Sequence, residues 1–372
     1  MRDVVILFGG ASSERKVSVA SAQNVASLLD QAEAWFWARD GAIHRIDRAA
    51  LLAQERPFEE EFAPAGPPAY RSLQEALDDP SSRPLTFVLA LHGTGGEDGS
   101  AQRLFEERRI AFTGPGAAAS AKAFDKEWAK QIASAAGVPV AESVHLPRGD
   151  QATVGSALLG FLARHERIVA KPVAGGSSVG LHIVGSVADA QRAAAAIAIS
   201  GEEYLAEPFV SGTELTVGVV DDGRGTRPLP ASEVRVETGR AFDYEGKYLG
   251  KGTREITPAE VAPEVSQAAQ RVALAVHQAL GCEGYSRTDV ICGPNGPVFL
   301  EINTLPGLTR MSFIPQQLAA EGTSMRAFLE EQIALARRRR DRPPTQVVVP
   351  EAEELEEARP KVAVRVSRKK RT

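Results

Sequence analysis

Two short blocks carry the side chains best suited to chemistry, RTDV at 287–290 and LEIN at 300–303. Side chains alternate along a strand, so Arg287 and Asp289 share one face, as do Glu301 and Asn303. Two adjacent strands would then present two carboxylates and an amide carbonyl at one spot. Such hard oxygen donors suit Mg2+, with phosphate oxygens and water completing its shell. A solvated strand face with an Arg–Glu pair accounts for the same letters taken alone. A second block, AKPVAGGSSVG at 170–180, sets Lys171 at the end of an apolar strand, just before glycines and serines. A point cation beside a run of backbone N–H donors can cradle phosphates. An exposed Gly/Ser loop is the plain alternative.

The familiar nucleotide fingerprints are weaker. A Walker-type G-x-x-x-x-G-K-[ST] is absent, because the Gly-Lys pairs at 246–247 and 250–251 lack its spacing and its hydroxyl. GPGAAA at 114–119 matches a relaxed dinucleotide pattern, with Glu142 at a suitable distance downstream. It leaves open a nicotinamide-binding oxidoreductase, although turn chemistry explains Gly114 through Ala119 about as well.

These blocks need a scaffold. A chain of 372 residues suggests two or three compact units at ~100–200 residues each. Its 43% hydrophobic and 24% charged residues are those of an ordinary globular protein. Two cysteines, Cys282 and Cys292, exclude a disulfide framework and fit a reducing compartment. The apolar run at 4–8 is short for a secretory signal, and no apolar run approaches the ~18 residues of a membrane span. A cytoplasmic protein is the expectation. DVVILF reads as a buried parallel strand ended by glycines, followed by a helix through Val25 and Leu29. PLTFVLALHG is the next strand, and the pattern is that of a doubly wound sheet. Residues 34–84 give no register. One helix is expected across 117–137, then strands at VPVAESV, RIVAKPV, EYLAEPFV, ELTVGVV, YSRTDVI and PVFLEIN. Two further helices follow from APEVSQAAQRVALAVHQAL and TSMRAFLEEQIALARRR. The fold class is α/β, turning to α+β in the C-terminal part.

In order along the chain stand FGGASSERKVS, ALHGTGGEDG, FDK, KPVAGGSSVG, EPFVSGTELTV, DYEGKY, SRTDV and EINTLPGLT. Together they resemble the D-alanine–D-alanine ligase family of ATP-grasp enzymes over about residues 3–335. The resemblance implies a Rossmann-like pre-ATP-grasp domain at 1–114 and ATP-grasp subdomains at 115–206 and 207–336, while composition alone predicts a disordered tail at 337–372. It implies ATP-dependent joining of two D-alanines through an acyl phosphate, for peptidoglycan precursors, by a homodimer. A ligase of the same fold joining other amino or hydroxy acids is the alternative.

By the same resemblance, Asp289, Glu301 and Asn303 would hold two Mg2+ or Mn2+ ions. Lys126 and Lys171 would contact phosphates, and Ser178 lies in the loop folding over them. Glu207, Phe209 and Val210 would form the adenine connection, and Glu214 would bind the ribose. Glu14 would take the ammonium of the first amino acid, with His92 near its carboxylate. Ser177 and Tyr248 would complete a hydrogen-bonded triad with Glu14, and Lys247 would meet the transferred phosphate. Ser312 would take the second carboxylate, and Arg287 with the Gly307 N–H the oxyanion. Tyr248, where D-lactate-accepting relatives carry His, favours an amine acceptor.

The net charge of −5 hides a division: residues 337–372 carry +6 and the rest −11. The tail has no apolar face, and contact with nucleic acid or an anionic surface is its sharper alternative to simple solubilisation. Deleting 341–372 is expected to leave steady-state kinetics unchanged. A changed kcat or KM would assign the tail a part in the reaction.

Overall fold

The computed structural model describes residues 3–146, 148–236 and 253–342. Lys247, Tyr248 and the tail from 343 onward lie outside the described residues.

The N-terminal sheet is built from β1 (Val4–Gly9), β2 (Glu33–Trp37), β3 (Ile43–Ile46), β4 (Thr86–Ala90) and β5 (Ala111–Phe112), in the order β3-β2-β1-β4-β5. All but the antiparallel β2–β3 pairing are parallel. Every residue of β1 is buried, which is why it reads as an unbroken apolar run. Helix α1 (Arg15–Leu28) packs on β1 and closes one polar gap with Ser18, whose hydroxyl accepts from Gly9 N and donates to Ala90 O. The unreadable stretch at 34–84 contains β2 and β3, then the short helices α2 (Arg48–Leu52) and α3 (Leu73–Asp78), capped by Asp47 and Ser72. Elements of four to six residues are too short for periodicity to show. Helix α4 (Ser100–Glu107) follows the glycine-rich turn.

The helix expected across 117–137 is two, α5 (Ala117–Phe124) and α6 (Lys126–Ala135). Asp125 breaks it by adopting an extended conformation and accepting from Trp128 N as the cap of α6. The strand expected at VPVAESV shrinks to β6 (Val144–Leu146), preceded by a single bridge from Val140 to Phe299. With β7 (Ile168–Pro172), β8 (His182–Val184) and β9 (Tyr204–Pro208) it makes an antiparallel sheet, order β6-β9-β7-β8. Helices α7 (Gln151–Leu162) and α8 (Val187–Ser200) pack on each other and share its core; buried Ala190, Ala193 and Ala194 face Leu158 and Phe161 there.

The third sheet is antiparallel, with β11 (Thr226–Pro228) beside β10 (Thr213–Asp221). The main path runs β13-β12-β10-β14-β15, through β12 (Ser232–Val236), β13 (Thr253–Ile256), β14 (Tyr285–Gly293) and β15 (Gly296–Asn303). Helix α9 (Pro263–Leu280) covers it with Ala269, Val272, Ala273 and Val276. Helices α10 (Phe313–Ala320) and α11 (Met325–Asp341) then return, and Phe328, Leu329 and Ile333 complete the core of the first sheet. No helix among the described residues is long and apolar enough to cross a membrane.

Helix α11 runs past residue 336, where the tail was expected to start. Its arginines explain the extension. Arg339 donates to the carbonyls of Phe112 at 2.6 Å and Gly114 at 2.7 Å, and lies over the Phe112 ring. Arg337 bonds Thr86 and Asp3. Arg339→Ala leaves two largely enclosed carbonyls unpaired and is expected to cost roughly 2–4 kcal/mol. A thermal melt equal to that of the wild type would reject the clamp.

Candidate active site

Strands β14 and β15 pair with Asp289 opposite Glu301 and Arg287 opposite Asn303. The four side chains singled out by alternation therefore meet at one place. Asp289 is 6% exposed and accepts from Arg287 Nη2 at 2.7 Å and Nε at 3.0 Å, and from the Thr216 hydroxyl. Glu301 faces Lys126 at 3.7 Å. Among the described residues the buried Asn303 Nδ2 finds no hydrogen-bond partner. Two facing carboxylates and an amide oxygen fit a divalent cation that takes its other oxygens from phosphate. Among the described residues no cluster of three His, Cys, Asp or Glu adds to them.

Lys126 begins α6 and donates to Gly175 O at 2.5 Å, fastening the glycine-rich loop. Lys171, near the end of β7, pairs with Glu207 of β9 at 3.0 Å. Phe209 is 36% exposed just beyond β9, with the Arg167 guanidinium 4.1 Å from its ring centroid, and Val210 follows. Glu214 stands on β10, opposite Ile291 of β14.

Across from these, the loop reaches the N-terminal unit. Ser177 is 5% exposed, and its hydroxyl donates to Glu14 Oε1 at 2.5 Å, across 163 residues of sequence. Ser177 and Ser178 both have φ of 54°, a left-handed conformation uncommon outside glycine. A Cβ on Gly93, itself at φ +67°, would stand 2.2 Å from Ser12 Oγ and 3.0 Å from Glu14 Oε2. Only glycine leaves Glu14 its place.

His92, at 6% exposure, shares a 3.1 Å hydrogen bond with Ser21, whose hydroxyl also accepts from Leu308 N. Burial pushes the His92 pKa down to about 4 despite the nearby Glu14 charge. Gly307 and Ser312 sit close together, for a Cβ on Gly307 would fall 2.6 Å from Ser312 Oγ. Ser312 caps α10 without bonding its own helix, and its hydroxyl meets Thr309 at 2.8 Å. A cavity of about 550 Å3 opens here, lined by Arg287, Gly307, Ser312, Asn24, Phe58 and Met311.

Several residues escaped the sequence reading. Glu97 accepts from Gly93 N at 2.8 Å and Leu305 N at 3.3 Å, strapping the 304–309 loop to the N-terminal unit. Asn24 does the same through Leu308 O at 2.7 Å. Lys130 pairs with Glu207 at 2.5 Å. Gln54, Glu55, Pro57 and Phe58, from the stretch without readable register, wall the cavity. The signal available for Glu97 was its place beside Asp98 in the glycine-rich GTGGEDG.

The dinucleotide reading of GPGAAA fails on space. A Cβ on Gly116 would fall 2.5 Å from Glu106 Oε1, and that oxygen accepts from Ala117 N at 2.9 Å. The N-terminus of α5 is thus filled by the chain's own carboxylate. Glu142 instead bonds Arg164 at 2.8 Å.

Burial, helped by Glu14, pushes the Glu97 carboxyl up to about 8. The folded chain keeps a proton that the unfolded chain releases above about 4.5, so this contribution falls as pH rises from there to about 8. His92 works oppositely, its contribution being lost as pH falls from 6.5 to about 4. Above 6.5 Glu97 acts alone of the two. The melting temperature is expected to fall between pH 6.5 and about 8 in the wild type, and Glu97→Gln to flatten that limb. An equal fall in the variant would reject the assignment.

Comparison with known proteins covers nearly the whole chain. The sequence model for the D-ala D-ala ligase N-terminus matches residues 3–115, and that for its C-terminus residues 132–334. A D-alanine–D-alanine ligase of Methylobacterium radiotolerans is 37% identical over 330 residues, covering 87% of this chain and 94% of its own. That of Desulforudis audaxviator is 35% identical over 340 residues, covering 91% and 100%. Among solved structures, the D-alanine–D-alanine ligase of Coxiella burnetii superposes with a TM-score of 0.73 at 25% identity, covering 91% of this chain and 94% of that one. The VanG D-Ala:D-Ser ligase of Enterococcus faecalis gives 0.72 at 27% identity, covering 90% and 98%. The chain belongs to the D-alanine–D-alanine ligase family.

Proposed function

We propose that the chain joins two D-alanine molecules to D-alanyl-D-alanine at the expense of ATP, forming ADP and phosphate and supplying peptidoglycan precursor synthesis. The observation that carries the reading is the reach of the phosphate loop from Lys126 to Glu14. One loop bonded to both residues supports a reading in which phosphates bind near Lys126 and the ammonium near Glu14.

A carboxylate is a poor acylating agent, so the first D-alanine is activated as an acyl phosphate. Glu14 anchors its ammonium, and neutral His92 lies beside its carboxylate. Lys126 and Lys171 hold the ATP phosphates under the loop bearing Ser177 and Ser178, and Lys247 meets the transferred group. Glu207, Phe209, Val210 and Glu214 take the adenosine. Asp289, Glu301 and Asn303 would hold two Mg2+ or Mn2+ ions, which neutralise charge on the phosphates when bound. Ser312 receives the second carboxylate at the start of α10, a suitable anion site.

Arg287 and the Gly307 N–H then face the oxygen of the tetrahedral adduct, where losing one donor commonly costs ~100–1,000-fold in rate. Holding both substrates in register can remove ~7–11 kcal/mol of barrier. Ser177 ties the covering loop to Glu14, and the family resemblance would add Tyr248 to that pair. The reading also carries a homodimer, a cytoplasmic location, and a division into units at 1–114, 115–206 and 207–336.

Phosphate release from Mg·ATP is expected to require D-alanine and to be far weaker with L-alanine, D-serine or D-lactate. Release that ignores D-alanine would overturn the reading. Arg287→Ala is expected to abolish dipeptide formation while ADP binding persists. Near-normal dipeptide formation by that variant would remove Arg287 from its role.

A further inference from the structure

Glu207 is 5% exposed, yet two ammonium groups meet it. Lys130 of α6 approaches Oε1 at 2.5 Å, and Lys171 of β7 approaches Oε2 at 3.0 Å. The side chains of the three are 4%, 12% and 7% exposed for Lys130, Lys171 and Glu207. The cluster therefore carries one positive charge in excess. Its two lysines are not equivalent. Lys130 is sealed one turn beyond Lys126, whereas Lys171 stands where β7 gives way to the phosphate loop.

We propose that Lys130 is a positioning residue for nucleotide binding: it holds the Glu207 carboxylate so that Lys171 can turn its charge to a phosphate. The inference rests on the ATP-dependent function proposed above. With Lys130 present, an arriving phosphate shares Lys171 while Glu207 keeps a complete partner. Without it, Lys171 is the cation left in ion-pair distance of Glu207 among the described residues, and the excess charge is gone. Nucleotide could then enter only by leaving a buried carboxylate under-compensated or by adding a proton to it. Either cost is large in a site closed to water.

The charges around Glu207 agree with this. Burial pushes its pKa up, but Lys171 and Lys130 outweigh burial and bring it below the ordinary value. Burial, with Lys171 adding to it, lowers the pKa of Lys130 against the pull of Glu207. A further charged neighbour of Lys130 is Glu127 on α6, which pairs with His145 of β6 at 2.8 Å. His145 is present in wild type and variants alike, so the ratio of their affinities isolates Glu207.

The test is calorimetric titration of Mg·ADP into wild type, Lys130→Met and Lys130→Arg at about pH 6 and about pH 8.5, with no turnover involved. Lys130→Met is expected to bind ADP roughly 10–100-fold more weakly at the higher pH and to recover most of that loss at the lower, where Glu207 takes a proton. Lys130→Arg is expected to follow the wild type at both. Wild-type affinity in Lys130→Met, or a loss of equal size at both pH values, overturns the inference while leaving the ligase reading intact. A wild type that binds no ADP overturns the ligase reading, and this inference with it. If Lys130→Met does not fold, Lys130→Met/Glu207→Gln decides. A folded double variant supports the charge account, and an unfolded one overturns it, since the buried carboxylate is then gone and the one positive charge left, on Lys171, equals the excess of the wild type.

Discussion

Two carboxylates held side by side are the constraint on which the site depends. Asp289 and Glu301 are cross-strand neighbours, an arrangement that like charges oppose unless something compensates them. The compensation comes from three directions: Arg287 from the same strand, Thr216 from β10, and Lys126 from the start of α6. Lys126 can arrive only because Asp125 breaks the helix in front of it. It also holds Gly175, and through that loop Ser177 reaches Glu14. A repulsion within one sheet is thus relieved by groups that connect all three.

The inverse arrangement stands one turn further along α6, where the Glu207 carboxylate lies between Lys130 and Lys171. Helix α6 thereby supplies a cation at each of two levels, spaced four residues apart so that both project from one face. The acidic body of the chain and its need to bind anions are reconciled locally. Lys126 and Lys171 are each oriented by a carboxylate or a carbonyl behind them.

How much of this was legible depends on the range over which a residue acts. Arg287, Asp289, Glu301 and Asn303 could be brought together by alternation alone, because a strand fixes its own facing. The ordered blocks of sequence named the family and most of its expected residues. Glu97, Ser21, Asn24 and Lys130 were invisible because their partners lie 71 to 287 residues away, except where Glu97 meets Gly93. The split of α5 from α6 turns on one aspartate whose capping competes with continued helix, and apolar periodicity runs straight across it. GPGAAA misled for the opposite reason, since the local pattern was present and the space it needed was occupied from outside by Glu106.

The arginines of α11 bear on how the chain is made. Arg339 grips the carbonyl of Phe112, 227 residues earlier, and Arg337 grips Asp3, 334 residues earlier. On a ribosome adding ~5–20 residues per second, the first sheet emerges roughly ten to forty seconds before the helix that seals it. During that interval β5, two residues long, is the outer strand of the sheet, and part of the apolar surface later covered by Phe328, Leu329 and Ile333 is open. The nascent N-terminal unit is therefore a candidate client for chaperones until α11 has emerged, and a truncation that removes α11 would expose the first sheet.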